Sequence, residues 1–281
     1  MISALQDFRL ERKGAVEYLE ALPLRECEFL VHAFLTRWGG VSTGYFAGLN
    51  FSCREGDRPE DVAANWQLLA DAFQFDLAQF VLMRQTHGDR VVTIGSNEFE
   101  VIAPHPFLPV EVQVCDALVT NRSEIAIGVK TADCVPIFLV DRVRRVIGVV
   151  HAGWRGTALD IAGQVVDLFL DRFFARPGDI MAAIGPAVGL CCYEVDTALY
   201  QSLNVYGGEG RMPFFRPGVS KDKWMLDLAM VNRYQLEKRG VPTENISFGS
   251  YCTSCRSDIF FSHRRDHGHT GRHVSFMMLK A

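Results

Sequence analysis

Short, nearly continuous apolar runs dominate the middle of the chain, with polar turns between them. These runs occupy residues 117–120, 125–129, 135–140 and 146–150. Segments of this length that do not alternate with polar residues are typical of strands buried on both faces. Runs of the same character predict further strands at residues 29–34, 91–94 and 274–279.

A stripe of apolar residues at spacings of three and four predicts the first clear helix. It consists of Val62, Trp66, Leu69 and Phe73. Pro59 suits the first turn of a helix, and Asp57 and Glu60 have the spacing of a capping box. The helix is therefore predicted to begin near residue 59.

Two further helices are predicted over residues 157–174 and 223–238, the second ending near Gly240. Residues 99–112 contain three prolines and predict a loop or an insertion. No linker rich in Pro, Gly or Ser separates these segments. We therefore expect one compact α/β domain in which helices cover a mixed sheet.

Composition narrows the classes of function. The 281 residues carry a net charge of -4 with a pI of about 6.1, and no long basic stretch occurs, so nucleic acid is not expected as a partner. No apolar run reaches the roughly 18 residues of a membrane span, and the first residues lack the apolar core of a signal peptide. We therefore expect a cytoplasmic protein whose cysteines serve the core, a metal or catalysis rather than disulfides.

Candidate chemistry is concentrated where the apolar runs end. Cys134 lies in TADCVP (residues 131–136), His151 in HAGWRGT (residues 151–157) and His87 in QTHG (residues 85–88). One Cys and two His form the ligand set of an open zinc site, with a fourth position free for water or substrate. Asp133, beside Cys134, is a candidate to orient a ligand or shuttle a proton. The alternatives are a buried core cysteine at Cys134 and a simple turn at His87.

Arginines in loops are candidates for binding an anion. Arg37 lies among glycines, and Arg155 lies in the turn after His151, where free N–H groups at a helix start attract anions. Arg264, Arg265 and Arg272 lie in a stretch that also contains His263, His267, His269 and His273. We prefer anion binding by these arginines to metal binding by the histidines.

The other cysteines carry weaker signals. Cys27, Cys53 and Cys115 occur singly and are predicted to be structural. Cys191 and Cys192 are adjacent, which makes an inert pair the better interpretation. Cys252 and Cys255 form a CxxC, which is half of a zinc site or a redox pair, and no second CxxC occurs.

Taken together, these motifs resemble those of the bacterial YfiH/YlmD family, also called the multicopper polyphenol oxidase (laccase) domain family. The resemblance covers roughly residues 30–279. Besides the three motifs above, it rests on TRWGGVS (36–42), LNFS (49–52), GD (56–57), DALVT (116–120), GP (185–186), CCYEV (191–195) and FFSHRR (260–265). The chain departs from the family at Ala187, where many relatives carry Cys, and at His263, which replaces a more usual Tyr.

The resemblance implies a single domain over residues 1–281, a three-layer α/β/α sandwich with a mixed sheet, in which residues 1–28 are an N-terminal extension. It implies one catalytic zinc held by His87, Cys134 and His151. Our candidates for substrate contacts are Arg37, Asn50, Arg155 and Arg264. It also implies phosphorolysis of the purine nucleosides adenosine, inosine and methylthioadenosine, with deamination of adenosine. The expected partners are these nucleosides and phosphate, in a monomer or a homodimer.

Three other functions remain open at this point. A copper-dependent laccase fits less well, because the chain has 8 His and one His-x-His pair, although the same ligands could bind copper. A metal-free cysteine hydrolase would use Cys134 as nucleophile and His151 as base, and peptidoglycan editing is one such role linked to the family. A non-enzymatic partner protein would require a sizeable apolar surface patch.

Overall fold

The computed structural model describes residues 7–95, 101–105, 108–203 and 214–281. The strands are β1 (Phe8–Lys13), β2 (Val16–Ala21), β3 (Leu30–Leu35), β4 (Phe80–Arg84), β5 (Val91–Thr93), β6 (Val101–His105), β7 (Leu108–Val114), β8 (Ala117–Thr120), β9 (Ala126–Thr131), β10 (Val135–Asp141), β11 (Val146–Ala152), β12 (Ile180–Ile184), β13 (Glu194–Asp196), β14 (Phe215–Pro217), β15 (Lys223–Leu226), β16 (Ile246–Phe248) and β17 (His273–Leu279). The helices are α1 (Leu22–Arg25), α2 (Pro59–Phe73), α3 (Trp154–Ala158), α4 (Ile161–Phe173), α5 (Thr197–Leu203) and α6 (Leu228–Lys238).

Two large mixed sheets form the centre of the fold. In the eight-stranded sheet the order is β1-β2-β3-β17-β9-β4-β7-β6, and in the six-stranded sheet it is β16-β12-β10-β11-β8-β5. A small third sheet has the order β13-β15-β14. Parallel pairs such as β4 with β9 and β12 with β16 occur beside antiparallel pairs such as β10 with β11, so the expectation of mixed sheets is confirmed.

Strand β10 shows how the layers are arranged. Ile137 and Leu139 lie in a core that includes residues of α4 and α6, whereas Phe138 and Val140 pack between the two large sheets. Phe138 stacks on Phe34 of β3 with ring centroids 4.0 Å apart. A third core lies between the eight-stranded sheet and α2.

The α/β class is thus confirmed, and the β layer of the expected α/β/α sandwich consists of two sheets packed face to face. An apolar run buried on both faces does not show whether a helix or another sheet covers each face, because either partner removes the same apolar surface from water. The second sheet was therefore beyond the reach of sequence patterning.

Residues 99–112, predicted as a loop or insertion, instead contribute two strands. β6 (Val101–His105) pairs antiparallel with β7 (Leu108–Val114) in the described part of this stretch. Residues 99–100 and 106–107 of that prediction lie outside the described residues. β6 is the edge strand of its sheet, the position at which a proline in a strand costs the fewest hydrogen bonds.

Two predicted helices have different boundaries in the structure. The helix predicted over residues 157–174 is broken into α3 and α4 at Asp160, which adopts a positive φ of 62°. The start of the helix predicted over residues 223–238 is strand β15, and α6 begins after Asp227, whose carboxylate accepts a hydrogen bond from Met230 N at 3.0 Å.

Helix α2 begins at Pro59 as predicted, but the capping box is wrong. The N-cap position is Arg58, and no side chain caps the helix. The Asp57 carboxylate instead accepts hydrogen bonds from Ser42 Oγ at 2.6 Å and Asn50 Nδ2 at 2.7 Å. Asp57 therefore links the loops that carry Ser42 and Asn50, and it does not cap the start of the helix.

The N-terminal segment adds a hairpin to one edge of the eight-stranded sheet. β1 and β2 pair antiparallel, and β2 pairs with β3 through Tyr18–Leu35 and Leu19–Phe34. Among the residues that the structure describes, no helix is long and apolar enough to cross a membrane.

Candidate metal centre

Three strand ends bring His87, Cys134 and His151 together. Cys134 immediately precedes β10 and His151 lies near the end of β11, and these two strands are antiparallel neighbours with Pro136 opposite His151. His87 follows β4, and its ring centroid lies 4.8 Å from that of His151. One ligand atom from each of the three residues lies within 4.8 Å of the other two. The structure thus brings together the three residues predicted as ligands.

Asp116 orients His151. Its Oδ1 lies 2.8 Å from His151 Nδ1, and because a carboxylate only accepts, the imidazole proton lies on Nδ1. In the neutral ring this leaves the lone pair on Nε2, the nitrogen that would bind a metal. Carboxylates that hold metal-binding histidines in this way are a common part of metal sites.

The same carboxylate also fixes the turn that carries His87. Its oxygens accept hydrogen bonds from His87 N at 3.0 Å and Gly88 N at 2.7 Å. His87 has a φ of 62°, a left-handed conformation that a residue other than glycine rarely adopts, and these contacts hold it there. Sequence reasoning placed Asp116 only within a family motif and gave it no role. Its one local signal was an acidic residue directly before an apolar run.

Burial and charge change the acidity of this group of residues. Burial favours the neutral Cys134 thiol, but the nearby charge of His151 and hydrogen bonds from His151 and His87 lower its pKa to about 6. Burial opposes the imidazolium of His151, but the Cys134 thiolate and the Asp116 carboxylate raise its pKa to about 9. Without a metal, the two groups therefore form a thiolate–imidazolium pair near neutral pH.

The residues fit a zinc ion. Thiolate and imidazole are the donors that zinc prefers, and three protein ligands leave a fourth position open. Gly153 leaves room beside them, because a Cβ at this position would lie 2.9 Å from His87 Cδ2 and 3.3 Å from Cys134 Sγ. When bound, zinc would be held by His87, Cys134 and His151.

The cluster opens into a cavity of about 430 Å³. Arg155 and Arg264, two candidate substrate contacts from the sequence, both line this cavity and are exposed. The guanidinium of Arg155 lies 4.4 Å from the Trp154 ring, and that of Arg264 lies 5.0 Å from the Tyr193 ring. Arg264 Nη1 also donates to the carbonyl of Glu194 at 3.0 Å.

Four charged residues, Arg54, Glu55, Lys130 and Arg272, form another part of the cavity wall, and each is part of an ion pair. Arg54 donates to both carboxylate oxygens of Glu111 at 2.9 Å, and Lys130 Nζ lies 3.8 Å from Glu111 Oε1. Arg272 pairs with Glu55 at 2.9 Å. Of these five residues, only Arg272 was singled out from the sequence, because the other four come from three separate segments without a motif.

Asp133 lines the cavity beside Cys134, and its carboxylate accepts hydrogen bonds from two loops. One oxygen accepts from Thr253 Oγ1 at 2.6 Å and the other from the backbone N–H of Arg264. With a φ of 88°, Asp133 is the second residue at the site with a left-handed backbone. It therefore fixes the position of Cys134 relative to the loops that carry Thr253 and Arg264.

Two predicted substrate contacts lie outside the cavity wall. Arg37 donates to the carbonyls of Ala47 and Ser257, and its guanidinium lies 4.5 Å from the Phe261 ring. Asn50 is fully buried and hydrogen-bonds Asp57. Arg37 hydrogen-bonds loop carbonyls, and Asn50 hydrogen-bonds a buried carboxylate. A polar side chain in a glycine-rich loop has the same sequence pattern whether it satisfies such groups or binds a ligand.

The histidine-rich stretch does not form a metal cluster within the described part of the chain. His273 is buried, and its Nε2 accepts from Phe261 N at 2.8 Å, whereas His263 lines the cavity and His267 and His269 are exposed. Cys27 and Cys115 are buried, as expected of structural cysteines. Cys53 is exposed, so it is not a core residue.

Comparisons with known proteins agree with this geometry. The family model described as "Multi-copper polyphenol oxidoreductase laccase" matches residues 31–280. Over 255 residues the chain is 38% identical to a Geobacillus stearothermophilus protein named purine nucleoside phosphorylase YlmD, covering 88% of this chain and 89% of that protein. A Bacillus subtilis protein of the same name is 33% identical over 258 residues, with 89% of each chain covered.

The fold leads to the same relatives. The crystal structure of the Bacillus licheniformis hypothetical protein YfiH superimposes with a TM-score of 0.88 at 35% identity, covering 98% of this chain and 100% of that one. The family predicted from the motifs is thereby confirmed. Because sequence and structure match over nearly the whole chain, this protein belongs to the YlmD/YfiH family of multi-copper polyphenol oxidoreductase laccase domains.

Proposed function

We propose that this chain is a zinc-dependent purine nucleoside phosphorylase that acts in the cavity at His87, Cys134 and His151. The observation that carries the proposal is the Asp116-oriented His–Cys–His cluster opening into a cavity lined by arginines. Relatives that match almost the full length are named purine nucleoside phosphorylases. The cavity volume of about 430 Å³ lies in the usual range for small-molecule sites.

The reaction transfers the ribosyl group from the purine to phosphate. A phosphate oxygen attacks the anomeric carbon, the bond from that carbon to the purine nitrogen breaks, and its electron pair leaves with the base, which takes up a proton. Arg155 and Arg264 supply positive charge where the phosphate would lie. Bound zinc would add positive charge to hold and neutralise the anion. The main work of the protein is to place the two reactants in line.

Adenosine, inosine and methylthioadenosine share the bond that is broken, so one site can serve all three. Deamination of adenosine fits the same cavity if water takes the place of phosphate and attacks the ring carbon that carries the amino group. Ammonia then leaves, and the product is inosine. Phosphate should therefore compete with deamination if both reactions use one site.

The test is product analysis by mass spectrometry on a nucleoside panel, with and without phosphate. We expect free base and ribose 1-phosphate only when phosphate is present, and loss of both in Cys134→Ala. Cys53→Ser is the matched control, because Cys53 is exposed and does not line the cavity. Full phosphorolysis by folded, metal-free Cys134→Ala protein would contradict the proposal.

Arg155→Ala tests the phosphate contact. Losing a charge-assisted hydrogen bond costs about 1.5–3 kcal/mol, so we expect kcat/KM for phosphate to fall about tenfold to hundredfold. The KM for the nucleoside should change little. Arg144→Ala is the control, since Arg144 is exposed and outside the cavity wall. An unchanged phosphate dependence in steady-state kinetics would remove Arg155 from the site.

A second candidate function is a cysteine hydrolase, and the arrangement of Cys134, His151 and Asp116 favours it. The lowered pKa of Cys134 and the raised pKa of His151 describe an activated thiolate next to its acid–base partner. Alkylation of Cys134 in metal-free protein, with protection by a peptide or amide substrate but not by nucleosides, would support this function.

A copper-dependent oxidase is the third candidate, favoured by the description of the matching family. Copper(II) binds most nitrogen and sulfur sites more tightly than zinc does. Copper titration into metal-free protein, followed by oxidation of a phenol, provides the test. Oxidation that rises with bound copper up to stoichiometry and disappears in His87→Ala would support it.

A further inference from the structure

Four cysteines from two loops converge outside the catalytic cavity. Cys191 and Cys192 follow β12, whereas Cys252 and Cys255 follow β16. β12 and β16 are parallel neighbours, so the chain leaves both strands at the same edge of the sheet. The four sulfur atoms all lie within 4.8 Å of one another.

The distances between the sulfurs suit a single ion. Cys255 Sγ lies 3.4 Å from the sulfurs of both Cys191 and Cys192. Four thiolates around a tetrahedral zinc, at Zn–S distances of about 2.3 Å, lie about 3.8 Å apart. The structure thus brings the sulfurs of the adjacent Cys191 and Cys192, interpreted from the sequence as an inert pair, close to that of Cys255. An iron–sulfur cluster contains several ions and would hold the cysteines farther apart.

The surrounding backbone already holds the four residues in place. Gly189 N donates to Cys252 Sγ at 3.2 Å, a contact that suits a sulfur ligand carrying negative charge. The two loops are joined directly, with Thr253 N donating to the carbonyl of Ala187 at 3.0 Å. Hydrogen bonds thus position Cys252 Sγ and join the two loops that carry the four cysteines.

We propose that Cys191, Cys192, Cys252 and Cys255 bind a second zinc ion. Four protein ligands close the coordination sphere and leave no position for substrate, so the role of this ion is structural. The proposal does not depend on the nucleoside chemistry at His87, Cys134 and His151.

The second ion would support the catalytic cavity through Asp133. Thr253, which lies between Cys252 and Cys255, donates its hydroxyl to the Asp133 carboxylate at 2.6 Å. Val188 N, in the loop that leads to Cys191, donates to the carbonyl of Asp133 at 3.0 Å. Asp133 directly precedes Cys134, so an ion that joins the two loops also fixes the catalytic cysteine.

The first experiment is zinc analysis of reduced protein after dialysis against a weak chelator. We expect about two zinc ions per chain in wild type and in the control Cys53→Ser. We expect about one zinc ion per chain in the Cys252→Ser/Cys255→Ser double variant and about one in Cys134→Ala. A single zinc lost in the double variant but kept in Cys134→Ala would support the second site and contradict the proposed catalytic zinc. Unchanged zinc in the double variant would overturn the proposal.

The second experiment needs no variant at the four cysteines, and so does not depend on whether the double variant folds. X-ray absorption of zinc-loaded Cys134→Ala should show only sulfur neighbours, at about 2.3 Å. An organomercurial should then release that zinc as it titrates the thiols. Nitrogen or oxygen neighbours, iron with acid-labile sulfide, or a mass loss showing a disulfide among these cysteines would each overturn the proposal.

Discussion

Asp116 links two of the three candidate metal ligands through one side chain. It accepts from the ring of His151 and from the backbone of His87, and it is 1% exposed. A single buried carboxylate thus sets the tautomer of one ligand and the turn that carries another. Metal affinity should therefore depend on the charge of Asp116, although it does not itself belong to the ligand set.

We predict that Asp116→Asn weakens zinc binding by about tenfold to hundredfold. The amide keeps the shape of the carboxylate but removes the charge that favours a proton on His151 Nδ1. Competition with a chromophoric chelator measures the affinity. Asp71→Asn is a matched control, since Asp71 is exposed and far from the cavity lining. Zinc affinity equal to that of wild type would show that Asp116 does not orient His151.

His273 is a buried histidine outside the candidate metal site. Its pKa is lowered to about 3, mainly by burial and to a smaller extent by the positive charges of Arg37, Arg272 and Arg265. Between that value and its ordinary pKa near 6.5, only the unfolded chain binds the proton, so stability falls as the pH drops through this window. At about pH 5.5 the loss from this one group is about 1 kcal/mol relative to neutral pH.

We predict that His273→Gln removes this part of the acid sensitivity. Glutamine cannot titrate, and its carbonyl oxygen can accept the hydrogen bond from Phe261 N. Urea unfolding of metal-free protein between about pH 7.5 and about pH 5.5 should show a smaller loss for the variant than for wild type, by about 1 kcal/mol. His269→Gln, at an exposed position, should retain the wild-type slope, and equal slopes for wild type and His273→Gln would refute the prediction.

At the scale of elements, the turn between β11 and α3 decides whether a metal fits. Gly153 is the N-cap residue of α3, with φ -71° and ψ 170°, a conformation open to any residue. Glycine is therefore needed here because a side chain would collide with His87 Cδ2 and Cys134 Sγ, and not because the backbone conformation requires it.

We predict that Gly153→Ala folds normally but loses most of its zinc affinity and activity. The added Cβ would come within 2.9 Å of His87 Cδ2, so the ring must move away from the ligand position. Zinc content and thermal unfolding measured together separate the two effects. Gly178→Ala is the control, because a Cβ there meets nothing within 4 Å. Wild-type zinc content in Gly153→Ala would rule out this role.

Element boundaries show where sequence patterning succeeds and where it fails. Apolar runs such as that at residues 117–120 predict strand β8 (Ala117–Thr120) with the same limits, because burial on both faces leaves no polar position inside the strand. The stretch 223–238 was predicted as one helix although it begins with strand β15. That strand forms because β13 and β14 pair with it from either side, a contact that no local pattern reports.

At the scale of the whole molecule, the contact between the two large sheets holds the catalytic strands in place. Phe138 of β10 and Phe34 of β3 stack across this contact with centroids 4.0 Å apart. β10 begins one residue after Cys134, so displacement of this strand moves a candidate metal ligand. We therefore expect stability and metal binding to be coupled through the core.

We predict that Phe138→Ala destabilises the protein by about 3–5 kcal/mol, the usual cost of emptying a buried aromatic site. Urea unfolding measures the loss of free energy, and the zinc content of the folded fraction reports the coupling. Val143→Ala, at a position that is 61% exposed, should change stability by no more than about 0.5 kcal/mol. A loss below about 1 kcal/mol in Phe138→Ala would mean that the two sheets are not held together by this stack.

The sequence by itself determined the α/β class, the positions of seven of the 17 strands found in the described residues, and the candidate metal ligands His87, Cys134 and His151. Buried strands, amphipathic helices and Cys or His ligands each have a recognisable local sequence pattern. The family motifs contain the same three residues. Only the tertiary structure decided that two sheets pack face to face, that Asp116 orients His151, that Arg37 and Asn50 lie outside the cavity, and that four cysteines converge. Each of these depends on contacts between segments distant in the chain, and such contacts leave no periodic signal in either segment.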